Sequence, residues 1–351
     1  MNNRITYLDG HRGLAILMVI VFHSYVKWPN HVPYGSEYAD IAFFKFGWLG
    51  VNLFFLISGF VILMTLEKCK GIKEFIYRRW LRLFPAMAFC SVLIFATSEL
   101  FPERPAGEPS LISLIPGLTF IDLDWWSFIF GGKIKPLEGS FWSLYVEFKF
   151  YIFAAFIYYF LGRNWMLFSL VLANVVTVLF KTLNKYFPID IVQSVYSICE
   201  YLSFSYFGWF ATGGSLYVYS KTHDKRWLYT SIALALFCSV FVRGIQWRPA
   251  LAAFTIAAFF IASVSNKALQ SVLSHKWFQF FGFISYPLYL IHENMLVSMI
   301  AMVPRWSQFD WGGAILPITI LSIAAFFISK YVEAYVKNSL VSFLRFSRIV
   351  H

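Results

Sequence analysis

Arg12 and His23 stand eleven residues apart in an otherwise mostly apolar stretch. At about 100° and about 1.5 Å per residue, that spacing puts both side chains on one helix face, about 16 Å apart along the axis. A neutral imidazole can take a proton from a hydroxyl, so His23 is a candidate general base. The plainer reading makes His23 a packing hydrogen bond and Arg12 a topological anchor. Ser143, Glu147 and Tyr151 recur at i, i+4 and i+8 within Ser140-Phe-Trp-Ser-Leu-Tyr-Val-Glu-Phe-Lys-Phe-Tyr151. A hydroxyl, a carboxylate and a phenol then share one helical stripe, suited to orienting a histidine, holding a sugar hydroxyl, or closing a structural network. Lys149 lies on another face and is expected to snorkel or to pair elsewhere. Lys68, Lys70, Lys73, Arg78, Arg79 and Arg82 form a basic cluster in an expected loop, 67–82. Arg78 and Arg82, at i and i+4, can present two guanidinium forks to one phosphorylated ligand; attraction of anionic lipid is the competing reading. In Ser285-Tyr-Pro-Leu-Tyr-Leu-Ile-His292-Glu293, Pro287 bends a helix, and His292 and Glu293, being adjacent, point in different directions.

The elements that must position these groups follow from composition. Of 351 residues, 59% are apolar, 21% aromatic and only 13% charged, with a mean hydropathy of +0.64. A water-soluble protein is excluded, because too little polar side chain remains to cover it. The expected class is all-α, a polytopic membrane helix bundle in one domain over 1–351. Stretches long enough to cross about 30 Å of hydrocarbon number about ten: 13–32, 46–66, 83–101, 140–161, 165–183, 196–219, 228–243, 250–266, 277–303 and 312–336. The net charge of +11 sits mostly between apolar runs, which favours cytoplasmic termini, including a tail at 337–351, over nucleic-acid binding. The N-terminal run, with no small-x-small cleavage site after it, is expected to be a retained first span. Segment 102–139, punctuated by Pro and Gly, is expected to be irregular, extracytoplasmic or re-entrant. Its Trp125 and Trp126, with Trp142, could stack on sugars or serve as interfacial aromatics. The four cysteines make no CxxC or CxxH pair, so neither a disulfide nor a metal site is expected.

Taken together, five patches resemble the integral-membrane acyltransferase 3 family. They are Leu8-Asp-Gly-His-Arg-Gly13, with ten residues between Arg12 and His23; Asn52-Leu-Phe-Phe-Leu-Ile-Ser-Gly-Phe60; Arg78-Arg79-x-x-Arg82 followed by Pro85; Trp142-Ser-Leu-x-x-Glu147 followed by Phe150-Tyr151; and Ile284-Ser-Tyr-x-x-Tyr-Leu-x-His292. The resemblance implies a membrane module without an appended hydrolase-like domain, seated in a bacterial inner membrane. It implies transfer of an acetyl or other acyl group from cytoplasmic acyl-coenzyme A to a hydroxyl of a lipid-linked or cell-surface glycan such as lipopolysaccharide O-antigen or exopolysaccharide. By the same likeness, Arg12 and His23 match the family's arginine and essential histidine. Arg78, Arg79 and Arg82, with Arg12, would hold the coenzyme, and Glu147 would orient His23 or stabilise its charged form. Ser143, Tyr151, Trp142 and His292 are expected at the acceptor. His23 as base and His23 as acyl carrier both remain open. The chain departs from the family pattern at His11 and at Phe148-Lys149, where a second acidic or amide residue often stands. A proton-coupled transporter or glycan flippase is the competing class, since intramembrane His and Glu also suit a proton relay.

Overall fold

Apolar runs that lack water to satisfy their amides have one local solution, the α-helix. The computed structural model describes residues 5–303 and 310–349, and these form helices joined by turns, with no strand among the described residues. The long helices are α1 (Thr6–Phe22), α2 (Gly50–Leu66), α3 (Ile72–Ala96), α4 (Trp142–Leu161), α5 (Arg163–Tyr186), α6 (Asp190–Tyr201), α7 (Phe207–Thr222), α8 (Lys225–Phe241), α9 (Trp247–Ser265), α10 (Lys276–Met302), α11 (Ile315–Phe327) and α12 (Glu333–Ile349). The last two residues of the expected tail lie outside the described residues.

Six stretches among the described residues are long and apolar enough to cross a membrane: Gly47–Leu66, Ile72–Ala96, Gly139–Leu161, Arg163–Tyr186, Trp247–Ser265 and Gly312–Ser342. The other four expected spans fall on α1, α7, α8 and α10. The first three have 17, 16 and 17 residues, short of the roughly 20 that span hydrocarbon unaided. α10 is 27 residues long but carries the consecutive polar residues His292, Glu293 and Asn294. Of the expected loop 67–82, the part up to Gly71 is non-helical, whereas 72–82, with Lys73, Arg78, Arg79 and Arg82, is helix. α3 starts at Ile72, directly after Gly71, with Glu74 in its first turn, and continues through Pro85. Segment 102–139 contains only short helices, Leu114–Thr119 and Leu123–Ile129 being the longest, as its Pro and Gly content requires.

The chain divides into two compact units. The first comprises the described residues up to Ala15, Leu49–Tyr77 and Val146–Phe278; the second comprises Ile16–Trp48, Arg78–Tyr145 and the described residues from Gln279 onward.

In the first unit, α2 and α7 cross backbone to backbone. A Cβ at Gly59 would lie 2.0 Å from the Phe210 carbonyl oxygen, and one at Gly213 would lie 1.9 Å from that of Leu56. Such close approach between helices in lipid gains dispersion contacts that larger side chains would forbid. In the second unit, α10 runs on through Pro287, which lacks the N–H that would bond the Phe283 carbonyl. Ser329 Oγ donates to that carbonyl at 3.4 Å, so the freed acceptor is used.

The α2–α7 crossing yields a prediction. Gly59→Ala should destabilise the folded protein by about 1–3 kcal/mol, because backbone cannot yield as a flexible side chain would. Gly71→Ala, with nothing within 4 Å of the added carbon, should leave thermal unfolding in detergent unchanged. Equal unfolding temperatures for the two variants would contradict the close crossing.

Candidate active site

At His23 the regular helix of α1 gives way to a π-turn, His23–Lys27. Such wide turns are uncommon and recur at functional sites. This one is held from the side: Tyr34 donates its hydroxyl to the Ser24 carbonyl at 2.5 Å and stacks on Tyr25, whose ring also stacks on Phe44. The turn leaves the His23 side chain only 12% exposed.

α10 brings the two other ionisable groups of this site. His292 is fully buried, and its ring meets that of His23 edge-on at 4.7 Å between centroids. Glu293 is 3% exposed, and its Oε1 lies 3.5 Å from His23 Nε2. Adjacent residues that diverge from the helix axis thus reach one ring from two sides.

The hydrogen bonds fix which nitrogens carry protons. A carbonyl oxygen can only accept. His23 Nδ1 therefore donates to the Val19 carbonyl at 2.8 Å, and His292 Nδ1 to the Tyr289 carbonyl at 2.8 Å. His292 Nε2 is left as an acceptor, 3.3 Å from His23 Nδ1, which serves both it and Val19. With Nδ1 doubly committed, His23 Nε2 is the nitrogen open to proton exchange. It faces a carboxyl, and one proton between the two groups completes the contact. This is the arrangement of a general base whose protonated form is stabilised by a neighbouring carboxylate.

Polar groups from the end of segment 102–139 and the start of α4 surround the pair. A Cβ at Gly139 would stand 2.8 Å from Glu293 Oε2, so glycine there leaves room for the carboxyl. Tyr289 donates its hydroxyl to the Ser140 carbonyl at 3.0 Å, and Ser143 Oγ lies 2.7 Å from the same phenol oxygen. Glu138, also buried, accepts from the Asn294 main-chain amide at 3.1 Å. Burial and the nearby Glu293 carboxyl push Glu138 well above the usual carboxylate range, against the pull of the Asn294 amide and of Arg104.

The remaining candidates have other partners. In the first unit, Glu147 Oε1 accepts from Ser58 Oγ at 2.6 Å and from the Tyr151 hydroxyl at 2.5 Å. Two of the three residues in the expected stripe are therefore together there, while Ser143 bonds to Tyr289 in the second unit. Arg12 donates to Asp9 at 2.7 Å. Lys149 donates to the Tyr201 carbonyl at 2.7 Å and to Ser203 Oγ at 3.2 Å. His11, buried between Phe259 and Phe260, lies 2.7 Å from Ser263 Oγ. In the second unit, Arg78 and Arg82 are exposed on α3 with Arg79 half-buried. Trp125 and Trp142 are exposed, whereas Trp126 donates to Thr119 Oγ1 at 3.1 Å and stacks on Phe130. Glu138, Glu293 and Tyr289 were given no role from sequence. Glu293 was visible as an intramembrane carboxylate, but its partner lies 270 positions away, between residues 23 and 293.

A family profile described as an acyltransferase domain matches residues 5–332. Over 96% of its length the chain is 26% identical to the peptidoglycan O-acetyltransferase OatA of Listeria monocytogenes, of which the match covers 57%. Over 41% of its length it is 28% identical to the O-acetyltransferase OatA of Staphylococcus aureus, covering 23% of that protein. The chain thus matches little more than half the length of the first relative and about a quarter of the second. No solved structure matches it.

The proton assignment is open to direct observation. Nitrogen NMR of selectively histidine-labelled protein should show hydrogen on Nδ1 of both His23 and His292. A neutral His23 with hydrogen on Nε2 alone would overturn the arrangement.

Proposed function

The chain belongs to the acyltransferase family, and from that premise we propose that it moves an acyl group from acyl-coenzyme A, acetyl-coenzyme A foremost, to a hydroxyl of a glycan. The observation that carries this reading is the contact of His23 Nε2 with Glu293 in a buried setting, with Nδ1 held by Val19 and His292. In the proposed step, His23 Nε2 takes the acceptor hydroxyl's proton while that oxygen attacks the thioester carbonyl. The carbon–sulfur bond breaks, and the departing thiolate takes the proton from His23 to leave as free coenzyme. Glu293 stabilises the imidazolium between the two transfers. A carboxyl beside the reacting nitrogen supports the base role over the acyl-carrier role, since it stabilises a proton there.

The donor is held at its phosphates by guanidinium groups of α3, Arg78 and Arg82 being exposed at i and i+4. The bundle crosses the inner membrane about ten times, α1, α7, α8 and α10 included, with both termini in the cytoplasm, where the coenzyme is. The acceptor is a lipid-linked or cell-surface glycan. The relatives' names make peptidoglycan one such acceptor, beside the O-antigen and exopolysaccharide classes that the family resemblance implies. Trp125 and Trp142, exposed in the second unit, supply faces on which sugar rings can stack.

The test follows label from acetyl-coenzyme A to a lipid-linked or cell-wall glycan with purified protein in detergent. His23→Ala and Glu293→Gln should each lower turnover about 10²-fold or more while leaving membrane insertion intact. Glu147→Gln should cost less, as the loss of one acceptor for Ser58 and Tyr151. Glycan transport without acyl transfer, or normal acylation by His23→Ala, would overturn the proposal.

A further inference from the structure

Immediately after Glu293, the helix is tied to both ends of segment 102–139 by three hydrogen bonds at one residue. The Asn294 main-chain N–H donates to Glu138 Oε2 at 3.1 Å, its side-chain Nδ2 donates to the Leu137 carbonyl at 3.0 Å, and its Oδ1 accepts from the Ala106 amide at 3.0 Å. The same Leu137 carbonyl accepts from Arg104 Nη2 at 3.0 Å, and Arg104 Nη1 reaches the Ile94 carbonyl at 3.3 Å. Glu138, Asn294 and Arg104 are all buried. A main-chain amide in the middle of a helix seldom has a carboxyl as partner, because the helix itself supplies an acceptor. Here the donation fastens the turn that presents Glu293, six residues beyond Pro287.

We propose that Glu138 is a positioning residue: through the Asn294 amide it fixes the turn of α10 that carries Glu293, and so sets that carboxyl against the His23 ring. The inference rests on the acyl-transfer reading above and extends it to a residue that touches neither His23 nor the proposed reacting atoms. Glu138 acts through its shape and its acceptor oxygen rather than its charge. The charged or titratable groups that act on it are Glu293 from α10 and Arg104 from segment 102–139, and Glu293 is acted on in turn by His292 on α10 and Lys27 of the π-turn. With a second buried carboxyl close by, repulsion keeps the two from ionising together. Glu293, which faces His23 Nε2, is the one that ionises in turnover. A neutral Glu138 has a near-isosteric substitute in glutamine, whose amide oxygen accepts the same N–H.

The experiment measures acyl transfer to the glycan by the full-length wild type and by Glu138→Gln, Glu138→Ala and Asn294→Ala, across a pH range. Glu138→Gln should keep kcat within about threefold of wild type with the same pH profile, while Glu138→Ala should lower kcat about tenfold or more at unchanged donor KM, the signature of a misplaced catalytic group. Asn294→Ala, which keeps the main-chain amide but removes both side-chain ties, should give an intermediate loss; it decides the matter where Glu138→Ala does not yield folded protein. Wild-type kcat in Glu138→Ala or Asn294→Ala, a Glu138→Gln variant as slow as Glu138→Ala, or a shifted pH profile in Glu138→Gln would overturn the inference alone. Absence of transfer by the wild type would overturn the reading beneath it.

Discussion

Imidazole and carboxyl groups removed from water must find their partners in one another, and that requirement organises the second unit. Hydrocarbon supplies no hydrogen bonds, so each buried polar atom calls for another nearby. His23, His292 and Glu293 answer much of that demand among themselves, with main-chain carbonyls of Val19 and Tyr289 holding one nitrogen of each ring. Because those carbonyls can only accept, the protons are ordered without any charge being spent, and the unassigned nitrogen of His23 is turned toward the carboxyl.

Backbone irregularities make that meeting possible. Regular helices place side chains at fixed angles, and the site sits where two of them depart from regularity. The π-turn at His23–Lys27 is braced by Tyr34 and Tyr25. α10 loses one main-chain hydrogen bond at Pro287, and the carbonyl this frees is taken by Ser329. Segment 102–139 supplies a third irregular piece, whose last residues pack Gly139 and Glu138 against the turn that carries Glu293. The first unit uses a different device, the α2–α7 crossing at Gly59 and Gly213. It brings Ser58, beside Gly59, into a unit where Glu147 receives it.

Much of the architecture was legible in the order of residues, and the part that was not has a physical reason. Long apolar runs and the Pro- and Gly-rich interruption at 102–139 are local signals, and they appear as helices and as an irregular segment respectively. The extension of α3 back to Ile72 is hard to see in the sequence because a basic run suits a solvated loop as well as a helix, but no Gly or Pro stands between Ile72 and Phe84 to stop the helix there. Helical spacing grouped Glu147 with Tyr151 correctly, since both lie on α4. It had no means of naming Ser58 on α2 as their companion. Adjacency excluded a pairing of His292 with Glu293, but it is silent on any third residue that both might meet. Glu138, lying in a stretch without periodicity, offered no pattern from which a contact with Asn294 could be foreseen.

The wide turn at His23 bears on how relatives of this chain can vary. A π-turn holds more residues per revolution than the helix before it, so it is a place where insertion or deletion of a residue can be absorbed or revealed. Upstream of His23, in α1, one residue gained or lost would swing the imidazole by about 100°. Downstream, the loosely wound turn and the loop after it offer slack. Length should therefore be held strictly on the amino-terminal side of the histidine and drift on the other, an asymmetry that turns gap placement in alignments into a ruler for where helical register has to be kept.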